Sequence, residues 1–167
     1  MPRLVIGVRR GSLDPLPLLI PELGNALKLL YVLHTSRIER AHLGRYESPW
    51  LKLVQVGEFL ARFSAFLAQD GRHDLWIADP ESGAQLVLDR HHVLYAYGPL
   101  DDFVRELSAA GFERGEIAIP SPHAHHYHAD FDADERAIVG HFAWRKSDLR
   151  HSDVQWEEPL SNTEGGG

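Results

Sequence analysis

Asp74-Leu75-Trp76-Ile77-Ala78-Asp79-Pro80-Glu81-Ser82-Gly83-Ala84-Gln85-Leu86-Val87-Leu88-Asp89-Arg90-His91-His92-Val93-Leu94-Tyr95-Ala96-Tyr97 is the stretch that decides the fold class. Its hydrophobic period is close to two, which predicts strands over residues 74–78, 84–88 and 93–97. Asp79-Pro80-Glu81-Ser82-Gly83 supplies turn residues between the first two strands, and Asp89-Arg90-His91-His92 reverses the chain again. A three-stranded antiparallel meander is the consequence.

Outward from the meander the period becomes helical. Gly98-Pro99 introduces a helix in which Leu100, Phe103, Val104, Leu107 and Ala110 share a face, and Gly111 stands at the C-cap position. Upstream, Ser48-Pro49 offers a cap followed by proline at the first helical position. Leu60, Ala61, Phe63, Phe66 and Leu67 then continue an apolar stripe that Asp70-Gly71 ends. The helix is expected over residues 57–69, with residues 51–56 open to a strand reading.

Nearer the N-terminus, residues 3–8 predict an opening strand. Pro15, Pro17 and Pro21 predict an extended connection, because proline removes a donor and disfavours the helical region for its predecessor. Leu23, Ala26, Leu27, Leu30 and Leu33 recur at helical steps, so residues 22–34 are expected as a helix, with a strand over residues 29–33 as the alternative. Residues 35–48 read as a loop or a short surface helix. Beyond the meander, residues 116–119 predict a strand that runs on through Pro120 and Pro122, and Asp132-Ala133-Asp134-Glu135 has the pattern of a capping box for a helix bearing Ile138, His141 and Phe142. The expected fold class is α+β: one domain over residues 1–160, an antiparallel sheet from residues 74–97 and 116–128 packed against two to four helices, chiefly those near 57–69 and 100–110. Residues 161–167 are expected to form a disordered tail.

The bulk numbers agree with one domain. A chain of 167 residues, 44% hydrophobic and 25% charged, can bury a single sizeable core. It has no cysteine, which excludes disulfides, thiolate nucleophiles, zinc ribbons and iron–sulfur clusters. The N-terminus lacks the apolar core of a signal peptide, and the apolar stretch 16–33 is interrupted by Pro17, Pro21, Glu22, Asn25 and Lys28, so a cytoplasmic protein with no membrane span is expected. Residues 1–70 carry nine Lys+Arg against six Asp+Glu, whereas residues 71–167 carry eight against eighteen, within a net charge of −7. That balance opposes nucleic acid and points to a basic protein partner or a cation.

Chemistry concentrates in His123-Ala124-His125-His126-Tyr127-His128, followed by Asp130, Asp132, Asp134 and Glu135. Imidazole and carboxylate together suit transition metals and proton transfer near neutral pH. On an extended segment His126, His128 and Asp130 fall on one side, His123 and His125 on the other. The candidate metal ligands are therefore His123, His125, His126, His128 and Asp130, holding zinc, nickel or iron, with Glu135 or Asp132 as base or orienter of a metal-bound water. Against the metallo-β-lactamase-like motif His-x-His-x-Asp-His, His123, His125 and His128 align but Tyr127 stands in the aspartate position. No zincin helix signature, glycine-rich phosphate loop, Gly-x-Ser-x-Gly elbow or ordered Ser-His-carboxylate set is present, so no enzyme class is indicated. His91-His92 reads as a polar turn. Trp76, Tyr95, Tyr97 and Trp144 read as core or core edge, and would mark a protein interface if grouped on the surface.

In size, acidity and element order the chain resembles the small immunity proteins that neutralise bacterial toxins. That resemblance implies a binding module that blocks a basic partner without catalysis or cofactor. The alternative is a metal-binding protein or metal-dependent hydrolase built on the histidine segment.

Overall fold

The expected meander is the centre of the molecule. The computed structural model describes residues 1–9, 11–117 and 126–154. In chain order its elements are β1 (Leu4–Gly7), α1 (Pro15–Leu19), β2 (Ala26–Leu33), β3 (Gly44–Glu47), β4 (Leu51–Lys52), α2 (Leu53–Gln69), β5 (His73–Ala78), β6 (Gln85–Leu88), β7 (Val93–Tyr97), α3 (Leu100–Ala109), α4 (Asp132–Val139), β8 (Arg145–Ser147) and α5 (His151–Val154), with 3₁₀ turns at Ile20–Glu22, Arg40–His42 and Ala129–Phe131. The strands form one antiparallel sheet in the order β1-β7-β6-β5-β2-β3-β8, with β4 pairing the start of β2. The α+β class is as expected, and among the described residues no helix is long and apolar enough to cross a membrane.

The turn chemistry works as the residues imply. Gly83 takes φ +77°, Asp79 N–H bonds Ala84 O, and Asp79 Oδ1 accepts the Glu81 N–H. At the second turn Asp89 Oδ1 accepts the amides of His91 and Val93, and His92 adopts φ 61°, the left-handed region that is uncommon outside glycine. Helix α3 ends in a Schellman arrangement: Phe112 N–H reaches Leu107 O, Gly111 N–H reaches Ser108 O, and Gly111 takes φ +87°.

Four expectations are corrected. Within residues 22–34 the chain forms no α-helix: Ala26–Leu33 is strand β2, so the alternative strand over residues 29–33 holds and begins three residues earlier. Leu27, Leu29, Tyr31 and Leu33 are buried on the core side while Leu30 and Val32 occupy the other face, so a central strand with apolar residues of both parities imitates helical spacing. The proline-rich connection is helical rather than extended, because Pro15 sits in the first turn of α1 and Pro21 in the first turn of the following 3₁₀ helix, where the missing N–H has no partner to lose. Ser48 does not cap a helix: its Oγ accepts the Leu29 N–H at 2.9 Å, and α2 begins five residues later, where Gln55 Oε1 accepts the Lys52 N–H at 2.8 Å. Of the expected segment 116–128, residues 116–117 and 126–128 have no strand pairing, and residues 118–125 lie outside the described ones, as does the expected tail 161–167. The sheet takes its remaining width from β1, β2, β3, β4 and β8 instead.

Helices α1 to α4 cover one face of this sheet. Leu16 and Leu19 of α1, Phe59, Phe63, Phe66 and Leu67 of α2, Phe103 and Leu107 of α3 and Ile138 of α4 join Leu29, Tyr31, Leu75, Ile77, Leu86, Leu94 and Ala96 of the sheet in one buried cluster. Each fully buried large apolar side chain contributes about 1.5–3 kcal/mol relative to exposure, so this single layer contact dominates stability.

Candidate functional site

The carboxylates that follow the histidines turn inward. Arg72, just ahead of β5, is fully buried, and all five of its guanidinium N–H groups find acceptors. Nε and Nη2 reach the two oxygens of Asp70 at 2.8 and 2.9 Å, Nη1 reaches Glu135 Oε2 at 2.7 Å and Asp132 Oδ1 at 3.1 Å, and Nη2 also donates to His128 O at 2.9 Å. Glu135, likewise fully buried, accepts the Ser36 hydroxyl at 2.5 Å, with His42 Nδ1 at 3.0 Å. Burial would raise the Asp70 carboxyl, but hydrogen bonds from Arg72 and from the His128 N–H outweigh it and hold the group below its ordinary value. Burial would likewise lower Arg72, and its bonds to Asp70 and Glu135 raise it instead.

Asp132 and Glu135 therefore act as anchors rather than as a capping box: α4 starts after Phe131 without a side-chain cap. A spacing of three puts both carboxylates on one helix face, which serves a shared cation as well as a cap. Nothing in the sequence distinguishes Arg72 from a surface arginine except its place between a buried helix and a buried strand.

The expected metal ligands divide. His123 and His125 lie outside the described residues. His126 O accepts the Gly71 N–H at 3.1 Å and His128 N–H donates to Asp70 Oδ2 at 2.9 Å, so the backbone of this segment is tied to the charged cluster while both imidazoles are exposed. Their rings are near-parallel with centroids 6.2 Å apart, and His128 also meets the Phe131 ring edge-on. Asp130 is exposed in the 3₁₀ turn. Among the described residues no three His, Asp or Glu side chains are grouped as a metal set.

Two further histidines are structural. His73 is buried between Tyr31 and Phe66, with ring centroids 5.3 and 4.7 Å away, and burial pushes its pKa down to about 4. His34 Nε2 lies 2.8 Å from Asp74 Oδ2, and Asp74 Oδ1 accepts the Arg90 N–H. Burial would raise Asp74, but its bonds to His34 and Arg90 lower it.

Among the described residues the other face of the sheet carries only the short helix α5, at one corner, where Asp153 bonds Arg45 at 2.5 Å. The register places Val5, Tyr95, Val87, Trp76 and Leu30 side by side on five adjacent strands of this face, continued by Glu47 and Arg145 on β3 and β8. Alternation explains the row, since the intervening residues Leu29, Leu75, Ile77, Leu86, Leu94 and Ile6 all point into the core. Val5 is 42% exposed and Trp50, in the turn before β4, 53%. Beside Trp76 the face sinks into a groove of about 720 Å³ lined by Lys28, Leu30, Arg45, Glu47, Trp50, Trp76, Arg145 and Arg150 among others. Lys28 lies 5.4 Å from the Trp50 ring centroid and 2.7 Å from Glu47, which Arg145 also contacts at 2.6 Å. Hydrogen bonds from Lys28 and Arg145 lower the Glu47 pKa.

This surface was partly legible. Trp76 and Tyr95 alternate out of phase with the core residues of their strands, which is the signal; Trp50 and the basic residues of the groove come from segments whose place in the sheet the sequence did not reveal. No protein family, curated protein or solved structure matches the chain.

Proposed function

We propose that the protein is a binding module that engages a partner protein through the face of its sheet opposite helices α1 to α4. The observation that carries this reading is the row Val5-Tyr95-Val87-Trp76-Leu30, an apolar band crossing five strands on the side away from helices α1 to α4, with Val5 exposed, Tyr95, Trp76 and Leu30 half-buried and Val87 buried between them, and opening into a groove flanked by Trp50. Contiguous apolar surface rimmed by polar residues marks interaction sites in soluble proteins, and tryptophan and tyrosine supply much of the binding energy at such sites. The acidity of the C-terminal portion supports this surface less than the charge count suggests. Asp132 and Glu135 are committed to Arg72, Asp74 to His34 and Asp153 to Arg45. Blocking a partner, as an inhibitor of the immunity type does, is the simplest use of such a face.

The test is a benzophenone photo-crosslinking residue placed at Trp76, with a second variant carrying it at Val54, which is 61% exposed on the outer side of α2. The expected result in cells of the source is one covalent adduct of defined mass from position 76 and none from position 54. Equal labelling from both positions, or no adduct from position 76, refutes the reading.

A second reading draws on the neighbouring exposed rings of His126 and His128: these two imidazoles, with ligands from outside the described residues, hold a divalent transition metal. Untagged protein that carries stoichiometric zinc, nickel or iron, and loses it in the His126→Ala, His128→Ala double variant, supports this; metal-free protein after growth with added zinc refutes it.

A further inference from the structure

We infer that the groove takes an extended, acidic segment of a protein carrying an aromatic or large aliphatic side chain, an inference that rests on the sheet face opposite helices α1 to α4 being the binding surface. The sign of charge in the groove is opposite to that of the chain. Among the described residues its walls hold Lys28, Arg45, Arg145 and Arg150 against one lining carboxylate, Glu47, and the single further carboxylate bonded to a wall cation is Asp153. Lys146 also borders the groove, but it opposes Tyr46 in the register, its ammonium lies 5.5 Å from the Tyr46 ring and it bonds Ala41 O, so its charge is spent on the other face.

Within the groove Glu47 serves two cations at once, leaving a surplus positive charge on the Lys28–Glu47–Arg145 row. Arg145, whose side chain is 80% exposed, is placed to meet a carboxylate in the bidentate geometry a guanidinium favours. Between these cations lie the apolar walls, Trp50, Trp76 and Leu30, which suit one bulky side chain per few residues of an extended chain. A polypeptide with spaced carboxylates meets both features. A nucleic-acid strand brings one negative charge per nucleotide to a chain whose net charge is −7, and the repulsion from the rest of the surface favours the peptide.

The experiment is selection of a random dodecapeptide phage library on the full-length protein, followed by fluorescence anisotropy of the selected peptides, with a (dT)12 oligonucleotide as the second probe. The expected result is enrichment of peptides rich in Asp and Glu with a Trp, Phe or Leu. The double variant Arg145→Glu, Arg150→Glu should weaken them at least about tenfold, and added salt should weaken them further. Enriched peptides that are neutral or basic, yet lose affinity in Trp76→Ala, overturn the acidic class while leaving the binding face intact. Selected peptides of any charge that are indifferent to both variants overturn the binding face itself, as does the absence of any enrichment. Tighter binding of (dT)12 than of every peptide replaces the protein segment with single-stranded nucleic acid. Both variants alter exposed or half-exposed side chains, and unchanged thermal melting separates lost binding from lost folding.

Discussion

Replacing Arg72 with methionine removes the cation while keeping a side chain of similar length and leaves Asp70 and Glu135, both fully buried, without their counter-ion. Five hydrogen bonds disappear together. Breaking a buried ion pair from one side costs about 3–5 kcal/mol, because the remaining charge stays desolvated. Against a typical total of about 5–15 kcal/mol that is a large share, and for a domain of this size each kcal/mol moves Tm by about 2–4 °C, so a fall of roughly 10–15 °C is expected. The pH dependence gives the sharper check. In the native protein the Asp70 pKa is held below its unfolded value of about 3.9, so its contribution is complete above that pH and is lost as pH falls through the depressed folded value. In Arg72→Met burial acts without the guanidinium, the folded Asp70 pKa moves above the unfolded one, and the sign reverses: the penalty shrinks as acid protonates the carboxyl. Urea denaturation of both proteins from pH 7.5 to 4.5 should show the gap between their midpoints narrowing on acidification. A loss below about 1 kcal/mol, the size of an exposed ion pair, or a gap independent of pH, refutes the account of Arg72 as a buried charge anchor.

Two further predictions concern the core and a turn. His73 has a folded pKa near 4 and an unfolded value near 6.5, so its share of stability is complete above pH 6.5 and falls by up to about 3 kcal/mol as pH drops toward 4; His73→Phe, placed between Tyr31 and Phe66, should reduce that acid sensitivity in urea melts between pH 7.5 and 4.5, and an unchanged slope sinks the assignment. Gly98→Ala should destabilise by about 1–3 kcal/mol, because Gly98 has φ +131° and a Cβ there would stand 2.6 Å from Ala84 Cβ; a Tm within 1 °C of the parent measured by calorimetry would show that the β7–α3 junction yields without cost.

What the sequence disclosed depended on how local the cause was. The meander, α3 with Gly111 and the core of α2 rest on turn residues and a single clear period, and they appear where Asp79, Gly83, Asp89 and Gly111 put them. Strand β2 was obscured because Leu30 and Val32 make its second face apolar too, which removes the alternation that separates strand from helix. Strands β3 and β8, of four and three residues, are shorter than any periodic signal. The histidine segment was conspicuous by composition, but its backbone anchors, Asp70 and Gly71, lie more than fifty residues earlier, and the pairing of Arg72 with Glu135 is a property of the fold alone.

Among the described residues the order β1-β7-β6-β5-β2-β3-β8 places the first and last strands, β1 and β8, at the two rims of the sheet. An open rim is a template for unwanted strand addition, and each is blunted differently. On β8 three exposed residues, two of them Arg145 and Lys146, present charge and little length. On β1 the segment 112–117 lies alongside, with Ile117 3.8 Å from the point a Cβ on Gly7 would occupy. The margins of the sheet are thus guarded against strand addition, and truncation of either outer strand would expose the β7 or the β3 margin to chain-to-chain stacking.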